Sequence, residues 1–387
     1  IMIKKICFII LNRANYGSIK SLLLKVKKEK KLKIQLIVGA SALLDKYGSC
    51  EKIIKKDGFK IDYKIDMHID GNQPKNMAQI VGLGLMEIPN ALSKLNPDLI
   101  FTIGDRFETM ASVISASYMN IPIAHTMGGE LTGTIDESIR HAITKFSHLH
   151  FVANKDSKKR VIKLGEIPKS VFDVGCPRID EVKSILKKDN FKKTINFVNK
   201  IGVGNEIDIN KKFILVSQHP VTTEFADSGK QIVETLKALE KIDVQCIFLW
   251  PNPDAGSENM SKEVRRWREK NKPKNIKFIK NLPMGIYISL MKNCDCIIGN
   301  SSSAIREGSF IGVPAVNIGT RQINRVTGKN IINCKNNQKE ILKSIQKQIK
   351  HGRYKSEILY GNGNASKKII SILKKIKNIN VQKSNSY

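Results

Sequence analysis

Short runs of apolar residues, uniform rather than alternating, recur along this chain, and each is followed by a stretch with helical spacing. KICFIIL, KIQLIVGA, LIFTIG, IPIAHTMG, LHFVAN and SVFDVG occupy the first half; FILVSQH, QCIFLWPN, IKFIKN, CDCIIGN and VPAVNIG follow in the second. A strand with one wet face alternates apolar and polar residues, whereas a strand covered on both faces does not. Covered strands separated by helices require parallel sheets flanked by helices, the doubly wound α/β class. A polar, Lys- and Asn-rich stretch near residues 186–212 divides the runs into two sets. For 387 residues, 41% of them apolar, two domains with one core each are expected, with a boundary near Asp180. The closing NASKKIISILKKIKNI has helical spacing, and the tail NVQKSNSY is expected to fray.

Composition narrows the function classes. Lys+Arg 66 against Asp+Glu 35 gives a formal charge of +31, a balance that would suit a polyanion. The lysines are dispersed, however, and aromatic residues are only 6%, with no basic helix or aromatic-arginine platform. A solvated Lys-rich surface is therefore expected rather than a nucleic-acid interface. The seven cysteines are scattered, with only Cys294 and Cys296 close together, so neither a zinc site nor a disulfide framework is expected. The opening IMIKKICFIILNR is too short an apolar run for a secretory signal, and nothing approaches about 18 continuous apolar residues. The expectation is a cytoplasmic protein with no membrane partner.

In open parallel sheets, ligands bind beyond the carboxyl ends of the strands. The residues there are Arg13, GDR (Gly104 to Arg106) and GGE in the first half, then QHPVTTE, PNPDAGS and GNSSSAIRE in the second. Each alone is an ordinary turn; six in succession are harder to assign to chance. GNSSSAIRE joins a strand to a helix through small residues, so Ser301 and Ser302 could face a phosphate at a helix start and Glu307 could accept from a ribose. The plain alternative is a serine N-cap. No GxGxxG follows the first strand and no GxxxxGK[ST] occurs, which argues against a nicotinamide dehydrogenase and a P-loop enzyme. His219 ends a strand in SQHPVTTEF, as an ordinary hydrogen-bonded residue or as a partner for a leaving diphosphate. Asp105, Glu130 and Glu137, with Asp136 beside it, offer carboxylates from adjacent loops, as acid/base work requires. Arg106 and Arg140 would neutralise them or hold a phosphate or sugar.

These motifs together resemble a known family. NRANYG, GDRFE, GGELTGTIDESIRHAITK, QHPVTTEF, PNPDAGS, IGNSSSAIREGSFIGVPAVNIGTRQ, RVTGKN and YGNGNA stand in the order found in the hydrolysing UDP-N-acetylglucosamine 2-epimerases. The likeness extends to bacterial sialic-acid and legionaminic-acid enzymes and to the epimerase half of the animal bifunctional epimerase/kinase; it covers residues 6–365, and no kinase half is expected. The resemblance implies two Rossmann-like domains in a glycosyltransferase-B-like arrangement with an interdomain cleft. It also implies a returning C-terminal helix, so that residues 1–180 plus 366–387 form the N-terminal domain and 181–365 the nucleotide-binding one. By the family's pattern, Asp105, Glu130 and Glu137 are the acidic catalytic group and His219 the histidine near the diphosphate. Arg13, Asn252, Ser301, Ser302 and Glu307 correspond to nucleotide contacts. Relatives commonly carry an acid at Asn15, which is given no chemical role.

The implied reaction needs those acids. A carboxylate removes the C2 proton as the diphosphate leaves C1, giving a 2-acetamidoglucal; water adds at C1 and a proton returns to C2 from the opposite face. No redox cofactor is required, and the sequence shows no metal cluster. The expected partner is a UDP-sugar, in a homo-oligomer of two or four chains. The alternatives are the same reaction on UDP-N,N′-diacetylbacillosamine, a GDP-linked donor, a non-hydrolysing epimerase, a glycosyltransferase, and a polyanion-binding protein. Salt-steep binding to DNA without nucleotide-sugar turnover would identify the last.

Overall fold

The computed structural model describes residues 4–71, 73–252 and 254–386. The first three residues of the opening IMIKKICFIILNR, Pro253 of PNPDAGS and the final tail residue lie outside the described residues. The chain divides into two compact units, the first comprising Ile1–Glu130, Ile135–Glu181 and Tyr360–Tyr387, the second Leu131–Thr134 and Val182–Leu359.

The first unit alternates strands and helices: β1 (Lys4–Ile10), α1 (Arg13–Val26), β2 (Leu32–Gly39), α2 (Cys50–Lys56), β3 (Tyr63–Ile65), α3 (Pro74–Leu95), β4 (Leu99–Ile103), α4 (Thr109–Tyr118), β5 (Ile123–Thr126), α5 (Asp136–Phe146), β6 (Leu149–Val152), α6 (Lys155–Lys163) and β7 (Val171–Asp173). Among the described residues these strands form one parallel sheet in the order β3-β2-β1-β4-β5-β6-β7. β4, β5 and β6 are buried along their whole length, which explains their unbroken apolar sequences. Phe8 and Phe101 are register partners with ring centroids 5.0 Å apart, and Phe101 stacks on Phe151 at 5.8 Å. The small Ala124 of the intervening β5, partner of Phe101, leaves room for that contact.

The division between units falls within α7 (Pro177–Leu186). The second unit continues with α8 (Phe191–Asn199), β8 (Phe213–Ser217), α9 (Ser228–Leu239), β9 (Gln245–Leu249), α10 (Ser257–Asn271), β10 (Ile276–Ile279), α11 (Met284–Asn293), β11 (Cys296–Gly299), α12 (Ser302–Ile311), β12 (Ala315–Ile318), β13 (Ile331–Cys334) and α13 (Gln338–His351). Its parallel sheet runs β10-β9-β8-β11-β12-β13. Leu131–Thr134, between β5 and α5 in sequence, belongs here: Gly133 N–H donates to the Arg321 carbonyl at 3.1 Å, and Arg325 Nε donates to that of Leu131 at 3.2 Å. Finally α14 (Ala365–Lys375) returns to the first unit against α1, its first two N–H groups, on Ala365 and Ser366, capped by the two carboxylate oxygens of Asp180 at 2.9 and 2.8 Å.

Two parallel sheets with interleaved helices match the α/β class read from the sequence, and every apolar run quoted above became a strand. β3 and β13 were not among those runs. The tail does not fray as expected. Val381, Lys383, Asn385 and Ser386 all hydrogen-bond to the first unit. Polar groups that a local reading assigns to solvent are here satisfied by partners distant in sequence. Among the described residues no helix is long and apolar enough to cross a membrane, and the seven cysteines are free thiols.

Candidate active site

In both sheets the strand order reverses direction once, between β1 and β4 in the first unit and between β8 and β11 in the second. Chains leaving adjacent strands there diverge to opposite faces and open a crevice. Arg13 and Asp105 follow β1 and β4; His219 and Ser301 follow β8 and β11.

The loop after β5 is built around glycine. Gly129 has φ +73°, and a Cβ there would lie 2.4 Å from the Ser157 carbonyl, so the turn toward Glu130 excludes a side chain. The Glu130 side chain is buried. α5 then begins with Asp136 and Glu137, acids at the positive end of a helix. One turn on, the fully buried Arg140 gathers the loops: Nη1 donates to the Glu130 carbonyl at 2.5 Å, and Nη2 pairs with Asp105 Oδ2. Burial opposes the Arg140 charge, but the Asp105, Glu130 and Asp136 carboxylates outweigh it and leave the guanidinium harder to deprotonate than usual. Glu137 faces His141 at 3.7 Å, one turn along. Arg106 turns to its neighbour Glu108 at 3.2 Å. Arg13 starts α1 and is half-buried; burial lowers its pKa, and Arg178 of α7, which the sequence reading missed, adds to the lowering. Asn15 accepts from Leu11 N–H and donates to the Ile103 carbonyl, both at 3.1 Å, tying the end of β1 to that of β4.

Beneath Asp105, the buried His125 donates from Nε2 to the Gly104 carbonyl at 2.9 Å. Burial pushes this imidazole down to about 3, and lowers that of buried His150 as well. An unfolded histidine takes up its proton near pH 6.5. The unfolded chain therefore binds more protons than the folded one below that pH, and stability falls as pH drops from about 6.5 toward 3. The slope from His125 alone approaches about 1.4 kcal/mol per pH unit. Denaturant midpoints between pH 7.5 and 5 should follow this trend, with a shallower fall in His125→Gln. An unaltered slope in that variant would remove His125 as the source.

In the second unit, Gly299 at the end of β11 has φ +124°, and a Cβ would meet the Ser217 carbonyl at 2.2 Å. This close approach of β8 and β11 places Asn300 against His219. Asn300 Oδ1 accepts from His219 N–H at 2.7 Å, and Nδ2 donates to the His219 carbonyl at 2.8 Å. The ring is fixed separately: Asn252 N–H donates to Nδ1 at 3.1 Å, and Nε2 lies 3.4 Å from Ser217 Oγ. An amide N–H can only donate, so Nδ1 is the acceptor and the neutral ring carries its proton on Nε2. Ser301 is the N-cap of α12, accepting from Ser303 N–H at 3.4 Å, and Ser302 opens the helix. Glu307 is buried on the same helix. The sequence reading therefore found the loops but not Asn300, whose role depends on sheet register. Among the described residues no cluster of His, Cys, Asp and Glu is arranged to hold a metal ion.

Residues 24–374 match the model of the family described as UDP-N-acetylglucosamine 2-epimerase. The UDP-N,N′-diacetylbacillosamine 2-epimerase (hydrolyzing) of Legionella pneumophila is 31% identical over 377 residues, covering 97% of this chain and 97% of that protein. The GDP/UDP-N,N′-diacetylbacillosamine 2-epimerase (hydrolyzing) of Campylobacter jejuni is 34% identical over 338 residues, 86% of this chain and 85% of its own. The crystal structure of UDP-GlcNAc 2-epimerase from Neisseria meningitidis bound to UDP-GlcNAc has a TM-score of 0.80 at 19% identity, with 96% of this chain and 100% of that one covered. At that identity it speaks for the fold.

Proposed function

This chain belongs to the UDP-N-acetylglucosamine 2-epimerase family, and from that premise we propose that it is a hydrolysing 2-epimerase. It converts UDP-N-acetylglucosamine, or a closely related UDP-2-acetamido sugar, and water to UDP and the free C2 epimer of the N-acetylmannosamine type. The supporting observation is the knot of Asp105, Glu130 and Arg140 at the strand ends of the first unit, with Asp136 and Glu137 opening the same helix.

The chemistry explains why acids gather there. The C2 proton of a 2-acetamido sugar is weakly acidic, so its removal is coupled to breaking the C1–O bond to the diphosphate. The electron pair from C2–H becomes the C1–C2 double bond of a 2-acetamidoglucal, and UDP leaves with the C1–O pair. Water then adds its oxygen to C1, and a proton is delivered to C2 on the other face. Glu130 and Glu137 are assigned the proton transfers. Asp105, tied to Arg140, completes the acidic group and holds the loops in register. In the second unit His219 donates from Nε2 to the leaving diphosphate, while Asn252, Ser301, Ser302 and Glu307 handle the nucleotide, aided by Arg13. Arg140 orders the acids; Arg106, occupied by Glu108, contributes charge near the sugar.

A second reading, UDP-N,N′-diacetylbacillosamine as substrate, is favoured by the names of the Legionella and Campylobacter relatives. Incubating the protein with each UDP-sugar and identifying both products decides between them. Free sugar with UDP from UDP-N-acetylglucosamine is the expected result. Release from the bacillosamine donor alone selects the second reading. An equilibrium of two nucleotide sugars, or no reaction with either donor, would overturn the hydrolytic assignment.

A further inference from the structure

The far end of α5 meets the chain's tail in a cluster that the proton chemistry does not use. The last carbonyls of a helix lack donors within it, and a cation placed there is favoured by the helix dipole. Lys383 supplies that cation. Its Nζ donates to the carbonyls of Lys145 at 2.6 Å, Ser147, and Thr144 at 3.4 Å, and pairs with Glu166 Oε2 at 2.8 Å. Glu166 is buried and also bound by His150 Nε2 and Lys145 Nζ, each at 2.9 Å. Burial alone would raise its pKa; the hydrogen bonds from His150, Lys383 and Lys145 overcome that and hold it at about 2. The rest of the tail is fastened around this centre. His148 Nε2 donates to the Val381 carbonyl at 3.0 Å, Lys145 Nζ donates to Asn385 Oδ1 at 2.8 Å, and Ser386 N–H donates to the Gly165 carbonyl at 2.9 Å.

α5 is short and continuous, about 16 Å from end to end at 1.5 Å per residue. Asp136 and Glu137 form its first turn and Arg140 its second. A shift at the carbonyl end therefore moves the acids at the other. We infer that Lys383 is a positioning residue: anchored by residues 381–386, it clamps the end of α5 and so sets where Asp136, Glu137 and Arg140 are held. The inference rests on the reading of those residues as acid/base machinery. The simpler alternative is a strap that contributes stability alone.

The test compares Lys383→Met and Lys383→Arg in the full chain, measuring kcat, KM, UDP affinity and hydrogen exchange of α5. Lys383→Met is expected to lose about tenfold or more in kcat per folded molecule, because small misplacements of reacting groups are costly. UDP affinity should stay within about twofold, since the clamp does not touch the second unit's nucleotide loops. Amides from Arg140 onward should exchange faster. Lys383→Arg, which can bridge the carbonyls and Glu166, should restore kcat. A folded Lys383→Met with kcat within about twofold of wild type, or losses that merely track the unfolded fraction, would overturn the inference. If Lys383→Met does not fold, Lys383→Gln is read by the same criteria. If the wild-type protein turns over neither UDP-sugar, the functional reading fails; unchanged exchange at Arg140 in Lys383→Met would separately sink the clamp.

Discussion

Arg140→Met will lower the stability of the protein, by less than the ~3–5 kcal/mol typical of a pair buried on both sides, because the Asp105 carboxylate left behind is 22% exposed. It will also cut turnover by about 10² or more, since the carbonyl of Glu130 and the carboxylate of Asp105 lose their common donor. The acids themselves should behave differently. Glu130→Gln and Glu137→Gln keep their shapes and should give folded proteins whose turnover falls by about 10² or more, the usual weight of acid/base groups. Asp105→Asn should lose as much turnover but also stability, because it leaves the buried Arg140 charge without its carboxylate. Melting temperature and kcat on the same preparations separate the two effects. Near-normal activity in all three acid variants would remove the carboxylate mechanism.

His219 gives the second large effect, and its ring geometry sets which replacement fails. The Asn252 N–H occupies Nδ1, so Nε2 is the nitrogen that can donate as negative charge grows on the leaving diphosphate. Asparagine is too short to present an N–H at that place; glutamine reaches it. His219→Asn should lose about 10² or more in kcat, as removal of one donor to a developing anion does, with a smaller change in UDP affinity. His219→Gln should stay within about tenfold of wild type, because the donor survives. Should the two variants be equally impaired, donation from Nε2 is not what His219 supplies. A drop in melting temperature with kinetics intact per folded molecule would make the residue structural.

The sequence carried the sheet interiors because β4, β5 and β6 are covered on both faces and have room for little but apolar side chains. β3 and β13 are partly exposed edge strands whose residues, YKI and IINC, mix polar with apolar side chains, so no unbroken apolar run marks them. The strand-end rule located Asp105, Glu130 and His219, since chain order and periodicity settle where a strand stops. It could not locate Asn300, which reaches His219 only because β8 and β11 are neighbours in register. Nor could it show that Arg106 pairs with Glu108, an acid two residues away. Lys383 stands in a polar stretch with no local pattern, and the residues it binds lie more than 200 positions upstream.

The passage of the chain from the first unit to the second and back has a consequence for its synthesis. Residues 360–387 complete the first unit, yet the ribosome makes them after all of 182–359. At about 5–20 residues per second, the first unit waits roughly ten to forty seconds for α14 and the lysine that closes α5. Through that interval Asp180 has no helix start to cap and Glu166 lacks one of its cations. The second unit can meanwhile close around β8 to β13, so the loops that follow β8 and β11 are in place before Lys383 reaches the end of α5.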